Sequence, residues 1–219
     1  MSEADAKKTD TADRRWPVIV AVLAVSGLYL ALPESLAVGP RWLQGAIVSL
    51  LLIPAIITHG RGQHRINQIL GQTIAAVITI FMVWSLVLLV LAVPSHKEAP
   101  TTMLRSAVAL WVTNVLVFAL WYWRLDAGGP YQRSKQPRHE IGAFLFPQMT
   151  LHPSFGKHKE QPWSPNFLDY LFLAFNTSTA FSPTDVAILS RWAKLLTMTQ
   201  ASISLTIVVI LAARAVNIL

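Results

Sequence analysis

The sequence predicts an all-α fold: a polytopic transmembrane helical bundle with five full spans plus one short or re-entrant helix. Three observations carry this expectation. The 219 residues are 53% hydrophobic. Only 13% are charged, against roughly 25% in soluble domains, and the mean hydropathy is +0.48. The charges are also clumped, so long stretches carry none. With 10 Gly, 13 Pro and no Cys, the chain is not collagenous, disordered or framed by disulfides, and it offers neither thiolate metal ligands nor a cysteine nucleophile.

A lipid-spanning helix needs about 20 mainly apolar residues. The first candidate runs from Trp16 to Leu32 and stops at Pro33. Lys7, Lys8, Arg14 and Arg15 precede it and Ser35-Leu36-Ala37 has the form of a cleavage site. Its apolar stretch exceeds the about 7–15 residues of a signal-peptide core, so it is read as a retained first span. Trp42–Thr58 follows, with Pro54 as an expected kink. Gln68–Val93 is the third span. Met103–Trp123 is the fourth, closing on Trp121-Tyr122-Trp123 as an interfacial aromatic belt would. Trp192–Leu219 is the last. Between the fourth and the last lies Phe167–Phe181, which reaches about 22 Å as a helix, short of a hydrocarbon core of about 30 Å. It either spans with help from Trp163–Asn166 or enters and turns back.

The chain thus divides into a polar tail (1–15), a four-helix region (16–123), a Pro-rich basic linker (124–166) and a C-terminal unit (167–219). Six crossings would place Lys7, Lys8, Arg14, Arg15, Arg61, Arg65, Arg214 and the linker cations inside, against Arg41, Lys97, Arg105, Arg191 and Lys194 outside. If Phe167–Phe181 re-enters, the termini lie on opposite sides and Arg214 changes side. The net charge of +7 is assigned to cations facing anionic lipid, not to nucleic-acid binding.

In the linker, Gly128-Gly129-Pro130 breaks the fourth helix, and Pro137, Pro147, Pro153, Pro162 and Pro165 prevent another long one. Ala143-Phe144-Leu145-Phe146 is an apolar island expected to lie against the bundle or in the headgroup layer. His139, His152 and His158 sit here, and His59 and His64 precede the third span. Their spacing matches no compact zinc motif, so they are read as loop histidines. No metal or cofactor is expected. No HExxH, GxSxG or phosphate-binding glycine loop occurs, and the chain is not read as an enzyme.

The C-terminal third carries the functional signal. Asn176, Thr177, Ser178 and Thr179 end a short apolar helix, and Ser182, Thr184 and Asp185 flank Pro183. Polar side chains at membrane depth turn to a neighbouring helix or a watery cavity. Asp185 also has the chemistry of an N-cap, and it lies close enough in sequence to pair with Arg191. On the last helix, Thr197, Gln200, Ala201 and Ser204 share one face, and Thr199, Ser202 and Thr206 the nearly opposite one. Two polar stripes predict a helix enclosed on both sides, with the last two helices at the centre, contacting either the other helices or symmetry mates.

Two resemblances follow from these residues. The order aromatic short helix, Thr177-Ser178-Thr179, Phe181-Ser182-Pro183-Thr184-Asp185, long apolar helix resembles the pore helix, filter and inner helix of tetrameric potassium channels over roughly the last 55 residues. Thr179 or Ala180 takes the filter threonine, Ser182 and Thr184 the glycines, Pro183 the tyrosine and Asp185 the aspartate. No glycine follows Gly156, so the resemblance does not extend to a standard potassium-selective filter, whose carbonyls need glycine conformations. Phe167–Phe172, the Thr-Ser-Thr-Ala-Phe run, Asp185-Val186, Ser190-Arg191 and Ala215–Ile218 resemble a family of uncharacterised bacterial inner-membrane proteins with a C-terminal domain of unknown function. That second resemblance implies a multi-pass protein of the cytoplasmic membrane and no activity.

The expectation is a channel-like or transport-like protein, with a small ion or solute met by Asn176, Thr177, Ser178, Thr179, Ser182, Thr184, Asp185 and Gln200, and a homo-oligomer, tetrameric if the channel resemblance holds. The alternative is a non-transporting scaffold in the lipid bilayer whose basic linker docks a partner.

Overall fold

The computed structural model describes residues 16–94, 99–135, 142–150, 163–179 and 185–216, without the side chains of 215 and 216. Among them the fold is an all-α helical bundle. Its helices are α1 (Trp16–Leu30), α2 (Trp42–Gly60), α3 (His64–Ala92), α4 (Pro100–Leu125), the short α5 (Pro130–Lys135) and α6 (Pro147–Thr150), α7 (Phe167–Thr179) and α8 (Arg191–Val216). Four of these, α2, α3, α4 and α8, are long and apolar enough to cross a membrane. α1 is a shorter apolar helix of 15 residues, ended by the Pro33 that the sequence marks. Pro54 lies within a continuous α2, where the Thr58 hydroxyl donates to the Pro54 carbonyl at 2.7 Å.

α4 forms the centre. It packs against α1, α3, α7 and α8, and 61% of its most apolar window is buried, against 17–39% for the other long helices. Within one chain the central helix is therefore α4 and not either of the last two, which pack against it alongside α1 and α3. The reason is compositional. Ala107, Val117 and Ala119 are fully buried, and side chains of this size spread around a helix let neighbours approach on every side.

The pairings fix direction. Arg214, near the end of α8, donates to the carbonyl of Val93, the residue after α3. At the other extreme Trp192 packs edge-on against Phe144, which itself contacts Tyr122 near the end of α4. α8 thus runs antiparallel to α4. α1, α2, α3 and α4 alternate in direction, since the first half of α1, the last half of α2, the first half of α3 and the last turns of α4 enclose one cavity. The bundle has an Asp126 end and a Val93 end.

α7 starts at the Asp126 end, where Tyr170 meets Asp126. Its start is a capping box: the Leu168 N–H donates to Asn166 Oδ1 at 2.8 Å, and the Asn166 N–H donates to Asp169 Oδ2 at 2.7 Å. It ends halfway along the bundle, where Ser178 meets Ser204 of α8, itself bonded to Trp111 of α4. The chain then returns to the Asp126 end. There β2 (Ala187–Ile188) pairs antiparallel with β1 (Phe144–Leu145), placing Phe144 opposite Ile188. The apolar island of the linker is therefore a buried strand, with Phe144 and Phe146 packed under Tyr170.

Candidate functional site

A helix that stops inside the bundle leaves its last four carbonyls without intrahelical partners, and Ser204 of α8 supplies one for Ser178. Gln200 is fully buried. Its Nε2 donates to the Ala174 carbonyl at 2.7 Å and to Ser178 Oγ at 2.8 Å. Its Oε1 accepts the Tyr122 hydroxyl of α4, which is also within hydrogen-bond reach of Thr177. One helical turn on, Ser204 Oγ donates to the Ser178 carbonyl at 2.6 Å and accepts Trp111 Nε1–H at 3.1 Å. Asn114 Nδ2 donates to the Gln200 carbonyl at 3.3 Å. One glutamine amide thus joins three helices with its donors and its acceptor filled.

The structure brings together only part of the predicted set. Ser178 and Gln200 meet directly, Thr177 stands beside them, and of the predicted inward face of α8 Thr197, Gln200 and Ser204 are buried while Ala201 is exposed. Asn176 is half-buried at the end of α7, and Thr179 is exposed, its hydroxyl donating to the Phe175 carbonyl at 3.0 Å. Asp185 lies apart from them, exposed beside β2 at the Asp126 end. Ser182 and Thr184 lie outside the described residues, as do His139, His152 and His158.

Three smaller expectations change. Within one chain no helix covers the second stripe of α8: Thr199, Ser202 and Thr206 are exposed, and Thr199 and Thr206 donate to the carbonyls four residues back, which satisfies a hydroxyl without a partner helix. The cap of α8 is Ser190, whose Oγ accepts the Ala193 N–H at 3.3 Å, and among the described residues no ion pair joins Asp185 to Arg191. The aromatic cluster ending the fourth span is no belt, since Tyr122 and Trp123 are buried inside the bundle.

A second polar cluster anchors the base of α7, and sequence reasoning missed it. Asp126, fully buried at the end of α4, accepts the Tyr170 hydroxyl at 2.6 Å on Oδ2 and the Ala143 N–H on Oδ1. Arg133 of α5 is also buried. Its Nη1 donates to the Trp123 carbonyl at 2.7 Å and the Asp126 carbonyl at 2.9 Å, and the guanidinium lies 5.1 Å from the Tyr170 ring centre. The turn that folds Arg133 back depends on Gly128 and Gly129, at φ of 78° and 93°, where a side chain is strained. The available signal was Asp126 itself, a lone carboxylate closing an apolar helix. Nothing in the sequence names Tyr170 as its partner.

Among the described residues no group of three His, Asp or Glu side chains is placed to hold a metal ion. Comparison of the chain with protein-family models, with curated proteins and with solved structures finds no match to any of them.

Proposed function

We propose that this chain, four of whose helices are long and apolar enough to cross a membrane, is a multi-pass protein of the bacterial cytoplasmic membrane, channel-like or transport-like, that passes or binds a small cation at the inner end of α7. One observation carries this reading: α7 enters the bundle from the Asp126 end, stops halfway, and the chain returns to the same end. In a bilayer such a segment is re-entrant, and non-helical backbone at that depth is tolerated only where protein or a water-filled path surrounds it. The carbonyl end of a helix carries about half a negative charge, so α7 aims a cation-attracting dipole at mid-depth. Asn176, Thr179, Ser182 and Thr184 would replace part of the hydration shell, and Asp185 would draw cations to the mouth. Ser178 and Gln200 do not fit a pore lining, because their polar atoms are spent on each other; they hold α7 in place. A conducting axis would then form between copies of the chain.

Sidedness follows from charge. Arg61, Arg65, Arg124, Arg133, Lys135, Arg191 and Lys194 gather at the Asp126 end, against Arg41, Arg105 and Arg214 at the other, so the Asp126 end faces the cytoplasm. In vesicles, single cysteines in this cysteine-free chain report it. Gln63→Cys and Leu189→Cys are expected to react with an impermeant maleimide from the same side, and Ser35→Cys from the opposite side. Labelling of Leu189→Cys from the Ser35 side would make α7 a full crossing and end the re-entrant reading.

The activity is tested in liposomes. The reconstituted protein is expected to release a potassium or sodium gradient, with the flux reduced several-fold by Asp185→Asn and by Thr179→Val. Liposomes no leakier than protein-free ones would leave the scaffold reading, which the saturated hydrogen bonds of Gln200 favour: a locked bundle presenting the basic linker to a partner.

A further inference from the structure

Away from α7, α1, α2, α3 and α4 share a cavity at the Asp126 end whose lining is mostly apolar side chains. It measures about 100 Å³. Its floor is hydrocarbon, including Val22 and Ile74, both buried. Ile56 of its lining is 51% exposed on the outer face of α2, one of the helices long and apolar enough to cross a membrane. At its upper rim stand His59, Asn67 and Arg124.

The seating of Arg124 makes this a built recess. Its guanidinium lies directly over Gly71 of α3: a Cβ at that position would fall 1.7 Å from Arg124 Cζ. The absent side chain leaves the room on α3 that the guanidinium occupies, and a side chain there would push it aside. The guanidinium also sits 5.4 Å from the Trp123 ring centre, in the half-buried surroundings where such contacts hold a cation in place. Asn67 is fixed as well, its Nδ2 donating to the Ala55 carbonyl of α2 at 2.6 Å.

We propose that this recess binds one anionic phospholipid, with the phosphate on Arg124 and His59 and the first part of one acyl chain over Val22 and Ile74. Charge selects the head group. A fixed cation at the rim, at the end of the bundle that also carries Arg61, Arg65, Arg133 and Lys135, attracts an anionic lipid, as basic pockets between transmembrane helices do. The apolar floor selects a lipid over a free anion, since a soluble phosphate would leave the floor unfilled.

The test uses the full chain purified in a neutral detergent, with bound lipid counted by native mass spectrometry after incubation with phosphatidylglycerol, phosphatidylcholine or inorganic phosphate. The expected result is one phosphatidylglycerol retained per chain, at least tenfold more than phosphatidylcholine, and not displaced by millimolar phosphate. Arg124→Gln is expected to abolish that preference. Gly71→Ala, which keeps every charge but expels the guanidinium, should abolish it too and serves if Arg124→Gln does not fold. Arg61→Gln, an exposed cation at the same end, should retain it. Equal retention of the two lipids by the unmodified protein would overturn the proposal, as would folded Arg124→Gln or Gly71→Ala proteins that bind phosphatidylglycerol normally. Displacement by phosphate alone would reduce the recess to an anion site without a lipid. None of these outcomes depends on whether the protein conducts.

Discussion

Replacing Gln200 by leucine is expected to lower stability by about 2–4 kcal/mol. The substitution is close in volume and adds no charge, so the loss comes from partners left behind. The Tyr122 hydroxyl and Ser178 Oγ lose a hydrogen bond each, and the Ala174 carbonyl loses its interhelical donor. A buried polar group left unpaired costs about 1–3 kcal/mol, while interhelical bonds within membranes average about 0.6 kcal/mol; three lost contacts set the range. Reversible denaturation in mixed micelles reads the change directly. A double-mutant cycle with Tyr122→Phe should return a coupling of about 1 kcal/mol, because both replacements delete the same contact. If Gln200→Leu instead leaves stability unchanged and alters only ion flux, Gln200 lines a path and the lock described above is wrong.

The second large effect is expected at Asp126, where alanine should cost about 3 kcal/mol or more. Removing this carboxylate strips the Tyr170 hydroxyl and the Ala143 N–H of their acceptor beside the buried cation of Arg133, and losing a carboxylate near a buried cation is costly. Asp126→Asn keeps one acceptor oxygen and should cost less, about 1–2 kcal/mol. The two variants differ locally as well. Alanine frees β1, so amide exchange at Phe144–Leu145 and at the paired Ala187–Ile188 is expected to accelerate, while the helix amides of α3 do not change. Uniform acceleration across all helices would mean that Asp126 supports the whole bundle and not the base of α7.

These two residues mark how much of the molecule the sequence discloses. The inward turn of Gln200 was legible from Thr197, Gln200 and Ser204 at helical spacing, but Thr199, Ser202 and Thr206 gave the same signal on the opposite face and are exposed, since their hydroxyls can bond their own helix. Asp126 was not legible, because it falls where an apolar helix passes into a proline-rich stretch, a position where carboxylates are ordinarily solvated. Trp121-Tyr122-Trp123 misled for a related reason. Aromatic residues suit both a lipid interface and a bundle core, and only the neighbours of Tyr122 decide between them.

By itself, the sequence determined the helical class, the places where the long helices run, the shortness of α7 and the concentration of positive charge toward one end. Those properties depend on local hydropathy, proline and charge, which act within a few turns of chain. The tertiary structure alone decided that α4 is the centre, that α7 stops halfway with β2 back at the Asp126 end, and that Gln200 and Asp126 clamp the two ends of α7. Each of these rests on pairings between residues far apart in the chain, such as Phe144 with Ile188 and Arg214 with Val93. An apolar segment obliges its polar groups to find partners, but the identity of the partner depends on which helices meet, and that is a property of packing.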